Sequence, residues 1–259
     1  FFKVPFVFDM DSSMTTQMLD RFAWLKPMSG LMHRIEAWPM KRANAVIPMC
    51  EDLAETARLY NDKLVSVLSD VSLVAEDSTD DFEDLRETCK ISSPILMYVG
   101  NLEEYQGIDL LLDCMACLKK RGDDAVAVVI GGAPNDIAKY KAKADQMQLS
   151  DRALFVGPRP IAQLGAYLAQ AKLLMSPRIH GTNTPMKIYS YLDSGVPVVA
   201  TALPTHTQVM SEEVSALVAP DAEEMASAVS ALLKDPQERQ RLADNARDLI
   251  ARKHSVESF

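Results

Sequence analysis

The residues best suited to chemistry lie between positions 176 and 201, in SPRIHGTNTPMKIYSYLDSGVPVVAT. Arg178 follows the strand-like KLLMS, and Lys187 stands just after Pro185 at the start of a helical pattern. Proline suits the first turn of a helix, and Thr184 is placed to act as its N-cap. The free amides of such a helix start, together with the positive end of its dipole, form an anion site. A lysine in that first turn works against the dipole unless an anion is bound nearby. Arg178, the amides of residues 181–184 and Lys187 are therefore expected to converge on one diphosphate. The alternative, solvated charges on a loop, leaves two cations, a glycine and a helix start coinciding without a reason.

Other candidate groups stand in loops that follow apolar runs. Gly100 and Asn101 come after PILMYV, where glycine lets a ligand approach the backbone and a plain turn is an equal alternative. Gly131 and Gly132 come after VAVVI, but GGAPND lacks the spacing of a dinucleotide fingerprint and is better read as a tight turn. Gly157, Pro158, Arg159 and Pro160 form a loop fixed by two prolines that could present amides and carbonyls to a nucleobase edge. For Arg159 an ordinary surface arginine is the competing reading.

These loops need a frame, and the sequence supplies one. VPFVFDMD, ANAVIPM and residues 64–68 read as strands, with helical stretches running to Met40 and from Cys50 to about Tyr60. The acidic EDSTDDFEDLRE is the linker candidate. From about Ser93 the pattern becomes regular: PILMYV, IDLLLDCMACLKKR, DAVAVVI, DIAKYKAKADQMQL, ALFVG, IAQLGAYLAQA, KLLMS, PMKIYSYLDSG, VPVVAT and ALVAP alternate strand with helix, and two further helices close the chain. Apolar strands between amphipathic helices predict a parallel sheet covered on both faces, in a doubly wound α/β domain over residues 93–259. Residues 1–92 read as the later part of a second α/β domain plus linker, its first half not being present.

Composition narrows the classes. A net charge of −9 argues against a nucleic-acid surface. The pair Cys114 and Cys117 forms a CxxC, but within an amphipathic helical pattern it reads as small buried hydrophobes rather than as a redox or metal motif. With Cys50 and Cys89 it makes no disulfide framework and suits a reducing, cytoplasmic setting. The uncharged run over residues 194–211 is broken by Gly195, Pro197 and Pro204, so no membrane span is expected.

The order VGNLEEYQGIDLLL, VVIGG, LFVGPRP and the 176–201 block resembles the C-terminal domain of family 4 glycosyltransferases, and RANAVIPMCEDLAE resembles a strand and helix near the end of their first domain. The resemblance implies a GT-B fold of two Rossmann-like domains. It also implies transfer of a sugar from a nucleotide-sugar donor, with retention and without a metal or other cofactor, to a glycan or lipid-linked acceptor in polysaccharide or glycoconjugate synthesis. Peripheral contact with the inner face of a membrane would then fall to the segment not present.

The match departs from the family where charge is usually carried. The resemblance implies arginine and lysine where Asn101 and Gln106 stand, two glutamates where Thr182 and Ser190 stand, and a histidine near Asp11. Either the site is rebuilt or catalysis is weakened. Two cations lost from one loop, with Arg178 and Lys187 standing in the 176–201 block, favour rebuilding. On that reading Arg178 and Lys187 neutralise the diphosphate, with His180, Gly181, Thr182, Asn183 and Thr184 around it and Ser190 on the ribose. The loop from Gly157 through Arg159 takes the base, Gly100 and Asn101 line the donor, and Asp11 faces the acceptor, a buried cap or turn aspartate being the alternative there. A nucleotide-sugar-binding subunit without catalysis is the second reading. A GT-B epimerase or phosphorylase is the third, although nothing resembles the cofactor-lysine region of glycogen-type phosphorylases.

Overall fold

The computed structural model describes residues 4–61, 63–74, 82–181 and 183–254. By its internal contacts the chain divides into two compact units, residues 1–70 with 181–184, and residues 71–180 with 185–259.

In the first unit, β1 (Val7–Met10) and β2 (Ala45–Pro48) pair in parallel, with Val7 opposite Ala45 and Met10 opposite Pro48. Residues 64–68, expected as a strand, bridge β2 in parallel at Val65 and Val46, with Val46 N–H donating to the Leu64 carbonyl, Ser66 N–H to that of Val46 and Leu68 N–H to that of Pro48. Ser13 caps the helix Met14–Arg21 by accepting the Thr16 N–H. A single 3-10 stretch, Ala23–Met28, leads into the helix Ser29–Arg42. Asn61 Nδ2 donates to the carbonyls of Met40 and Ala43 and so satisfies the end of that helix. Met10, Met40, Val46, Leu53 and Ala57 form the core of the unit.

The second unit contains a six-stranded, all-parallel sheet. Its strands are β3 (Ile95–Val99), β4 (Val126–Ile130), β5 (Ala153–Gly157), β6 (Leu173–Ser176), β7 (Val198–Thr201) and β8 (Ala216–Val218), in the spatial order β5-β4-β3-β6-β7-β8. This is the doubly wound order, in which the chain builds outward from β3 to one side and then from β6 to the other. Period-two alternation explains the two-faced burial. Leu96, Tyr98, Ala127, Val129, Leu173 and Met175 enter one apolar cluster, while Ile95, Met97, Val126, Val128, Ile130 and Leu174 enter the other. The helix Ile108–Arg121 matches the expected IDLLLDCMACLKKR from end to end. Its Cys114 is fully buried and burial pushes the thiol up to about 12, which suits a small core side chain.

Two expectations need correction. The boundary at 92/93 falls instead at 70/71, because Leu73 N–H bonds to Ser190 Oγ and the buried Leu85 donates its N–H to Gln170 Oε1. Part of the acidic linker candidate therefore packs, with a short helix at Leu85–Thr88, and residues 76–81 of it lie outside the described residues. The helix expected from Pro185 begins at Lys187 and runs to Asp193, with Met186 as its N-cap and no side-chain cap bond.

Candidate functional site

In a doubly wound sheet, the crevice lies beyond the carboxyl ends of the two strands where the order reverses, here β3 and β6. The loops that leave them are fastened together. Gly107 takes φ +74°, and a Cβ there would stand 1.9 Å from the Pro177 carbonyl oxygen. Only glycine permits that approach. Ile179 N–H then donates to the Tyr105 carbonyl at 2.9 Å. On the other side, Gly131 lies so close to Gly100 that a Cβ would meet the Gly100 oxygen at 2.2 Å, and Gly131 N–H donates to the Gly157 carbonyl. The Gly131 turn, expected as a tight turn into the next helix, thus also packs against the neighbouring loops.

Arg178 follows β6 and is 5% exposed. Its Nε donates to the His180 carbonyl at 2.7 Å, and its guanidinium lies 5.0 Å from the Tyr105 ring centre. Its own carbonyl accepts Thr201 Oγ1 at 2.6 Å. Burial lowers its pKa, yet a guanidinium stays charged at any physiological pH. Behind it, His206 lies fully buried between Ser176 Oγ, 2.8 Å from Nε2, and the Thr201 carbonyl, 2.8 Å from Nδ1. Nδ1 therefore carries the proton, and burial holds the imidazole down at about 4.

Lys187 opens its helix with Nζ 3.1 Å from Gln106 Oε1 and 3.9 Å from the Tyr98 ring centre. Burial, and then the charge of Arg178, push the ammonium well below the usual lysine range. Among the described residues Lys187 forms no ion pair. The tyrosines beneath it are braced: Tyr98 Oη donates to the Asn101 carbonyl at 2.7 Å, and Tyr191 Oη accepts the Val99 N–H at 2.7 Å. A helix whose tyrosine bonds the last amide of β3 fixes its first residue over that strand. The result is two cations held by aromatic faces and neutral oxygens, an arrangement that attracts an anion.

The remaining expected residues are dispersed. Gly100 and Gly157 sit at the ends of their strands, and Asn101 is exposed, its carbonyl taken by Tyr98. Arg159 turns back on its own unit, its Nε donating to Glu83 at 2.7 Å and its Nη1 to the carbonyls of Val156 and Pro158. Ser190 is fully buried, and its hydroxyl accepts the Leu73 N–H at 2.9 Å, so it fastens backbone rather than facing a ribose. His180 is exposed and contributes its carbonyl to Arg178. Gly181, Asn183 and Thr184 belong by their contacts to the first unit, where Asn183 Nδ2 lies 4.0 Å from Met49 Sδ. Thr184 does not cap the helix: it is buried, its hydroxyl has no hydrogen-bond partner among the described residues, and its N–H is directed to the Cys50 thiol. Packing on the Met49–Cys50 turn overrides the capping pattern. Thr182 lies outside the described residues. Asp11 is exposed just past β1, and Ser13, not Asp11, is the cap there.

Tyr98, Tyr191, Thr201 and His206 went unseen as site-builders in the sequence. Tyr98 alternates like any strand residue, Thr201 Oγ1 reaches the Arg178 carbonyl from the neighbouring strand, and His206 bonds to Thr201 and Ser176.

The parallel sheet in this order, with buried cations at its reversal point, defines a Rossmann-like domain suited to a phosphorylated ligand. The signature of the Glycosyl transferases group 1 family matches residues 81–249, and the chain belongs to that family. It is 28% identical over 167 residues to an alpha-D-kanosaminyltransferase of Streptomyces kanamyceticus, covering 63% of this chain and 42% of that protein. It is 23% identical over 236 residues to a 2-deoxystreptamine glucosyltransferase of the same organism, covering 83% and 60%. The chain thus spans about half the length of these curated relatives. Among solved structures it resembles sucrose-phosphate synthase of Thermosynechococcus elongatus (TM-score 0.78, 21% identity, 97% of this chain and 64% of that one). It also resembles Anabaena HepE, solved with UDP (TM-score 0.79, 16% identity, 98% and 69%). The fold is that of the GT-B glycosyltransferases.

Proposed function

We propose that the second unit is the donor half of a retaining family 4 glycosyltransferase, holding the diphosphate of a nucleotide sugar between Arg178 and Lys187. The observation that carries this reading is the burial of both groups at the reversal point of the sheet, with Lys187 beside a glutamine oxygen and a tyrosine ring and, among the described residues, no carboxylate partner. Cleaving the bond between sugar and diphosphate develops negative charge on the leaving phosphate. A guanidinium already fixed in a desolvated site, and a lysine whose protonation the phosphate itself favours, stabilise that charge. No metal is needed for this step. The nucleotide is UDP or a close analogue, a choice supported by the UDP seen in HepE. Gly100, Asn101 and the Gly157 loop would border the donor, and Asp11 in the first unit would serve the acceptor hydroxyl, on a glycan or lipid-linked glycan, in a cytoplasmic enzyme.

A nucleotide-sugar-binding subunit without turnover is the second reading, favoured by Ser190, which stands where the family has a glutamate and is committed to Leu73. Calorimetry of the full chain with UDP, GDP and their sugars, followed by an assay of sugar transfer and donor hydrolysis, separates the two. Binding with release of nucleotide supports the enzyme. Binding with no turnover in the full-length protein removes the enzyme reading, and no binding of any nucleotide removes both.

A further inference from the structure

The backbone ladder between β6 and β7 ends at Ser176 opposite Ala200. Beyond that point side chains join the two strands. His206 Nδ1 lies 2.8 Å from the Thr201 carbonyl, which can only accept, so Nδ1 donates. Nε2 is then the acceptor, and Ser176 Oγ donates to it at 2.8 Å. Thr201 Oγ1, 3.1 Å from the same Nδ1, donates onward to the Arg178 carbonyl at 2.6 Å. The bonds thus run in one direction, from Ser176 through His206 and Thr201 to Arg178, and return to the segment they left.

This ring is sealed from water: Ser176, Thr201 and His206 are fully buried, and Arg178 nearly so. A buried polar cluster is costly to desolvate and holds together only when its members are paired, as these are. Apolar side chains would fill the same space without that cost, so what the ring adds is geometry. It spans Pro177, whose nitrogen has no hydrogen to offer β7. On the opposite side Gly107 packs on the Pro177 carbonyl, and the Ile179 N–H bonds to the Tyr105 carbonyl. The main chain that carries Arg178 is thereby held from both sides. His206 is itself seated, its N–H on the Leu203 carbonyl and the nearby Ala202 N–H on that of Val218. Burial, with the charges of Lys187 and Arg178, keeps the imidazole neutral, as acceptance by Nε2 requires.

We propose that His206 is a positioning residue: through Ser176 and Thr201 it fixes the main chain over residues 176–178, and with it the direction in which the Arg178 guanidinium points. What the guanidinium then meets rests on the diphosphate reading; how it is held does not. A donor is effective when its orientation is set before the ligand arrives. Opening the ring would leave the charge of Arg178 in place and cost it its aim.

Two measurements on the full chain test this. Calorimetry with UDP should show about tenfold weaker binding for His206→Ala and for Thr201→Val, which removes only the hydroxyl. Thr201→Ser should restore it. In an Arg178→Ala background His206→Ala and Thr201→Val should change affinity by less than about twofold, whereas a general loss of structure would weaken binding in both backgrounds. Independently of nucleotide, the Arg178 Nε–H, which donates to the His180 carbonyl, gives a resonance identified by its loss in Arg178→Lys. It should be protected from exchange in the parent and in Thr201→Ser, and exchange freely in Thr201→Val and His206→Ala. Thr201→Val carries the test if His206→Ala does not fold. Three results overturn the proposal: variants that bind UDP as the parent does, equal losses in both backgrounds, or an Nε–H that stays protected in Thr201→Val. A parent that binds no UDP removes the diphosphate reading alone, and the exchange of the Nε–H then decides whether His206 positions Arg178.

Discussion

Lys187 Nζ lies 3.1 Å from Gln106 Oε1, joining the first residue of one helix to the end of the loop after β3. The family resemblance places a lysine where Gln106 stands. Two ammonium groups at that separation would repel strongly in a buried site. Glutamine instead offers an oxygen and lets one charge stand where two would collide.

Arg178→Ala and Lys187→Ala should each weaken nucleoside diphosphate binding by ~1.5–3 kcal/mol, the scale of a charged hydrogen bond. Arg178→Lys should recover only part of it, because an ammonium lacks the planar fork. Isothermal calorimetry with UDP measures all three, and unaltered binding in both alanine variants would remove the assignment.

Binding of the diphosphate should take up a proton. Burial and Arg178 depress the Lys187 pKa in the free protein, and an anion beside it raises that value again. Calorimetry in buffers of different ionisation enthalpy reads the uptake at pH values above the depressed pKa, and Lys187→Met abolishes it. Equal apparent enthalpies in all buffers would contradict the proposed contact.

Gln106→Glu should stabilise the unliganded protein and weaken nucleotide binding, since a carboxylate at that oxygen satisfies Lys187 in place of phosphate. Thermal melting should show a raised Tm without UDP and a smaller rise on adding it. A variant that binds UDP as tightly as the parent would separate Lys187 from the phosphate.

His206 should make stability depend on pH on the acid side. Its folded pKa of about 4 lies below the unfolded value near 6.5. The unfolded chain therefore binds the proton first, and stability falls as pH drops from about 6.5 toward 4, by about 3 kcal/mol in all. Urea unfolding across that range measures the slope, and His206→Asn should reduce it.

Much of the fold was legible because local signals agreed with the global arrangement. Gly107 and Gly122 bracket the helix Ile108–Arg121, three basic residues close its last turn, and its apolar positions fit one face. The helix after Pro185 misled, because Thr184 and Pro185 imitate a capped start while Thr184 is drawn into packing on Cys50. Arg178 and Lys187 were legible by type and position. Their supports were not, because Tyr98, Tyr191 and His206 act through contacts between segments far apart in sequence, and a side chain such as Ser190 gives no sign of whether it faces a ligand or a backbone amide.

The fastening of residues 100–107 to residues 177–180 has a consequence for anyone recombining parts of such proteins. Gly107 is shaped to the Pro177 carbonyl, Tyr105 holds Ile179, and Gln106 meets Lys187. A chimera that imports the first loop alone would bring in a lysine against Lys187, and one that imports the second alone would leave Gln106 answering nothing. The two segments must be transplanted together, as a single cassette.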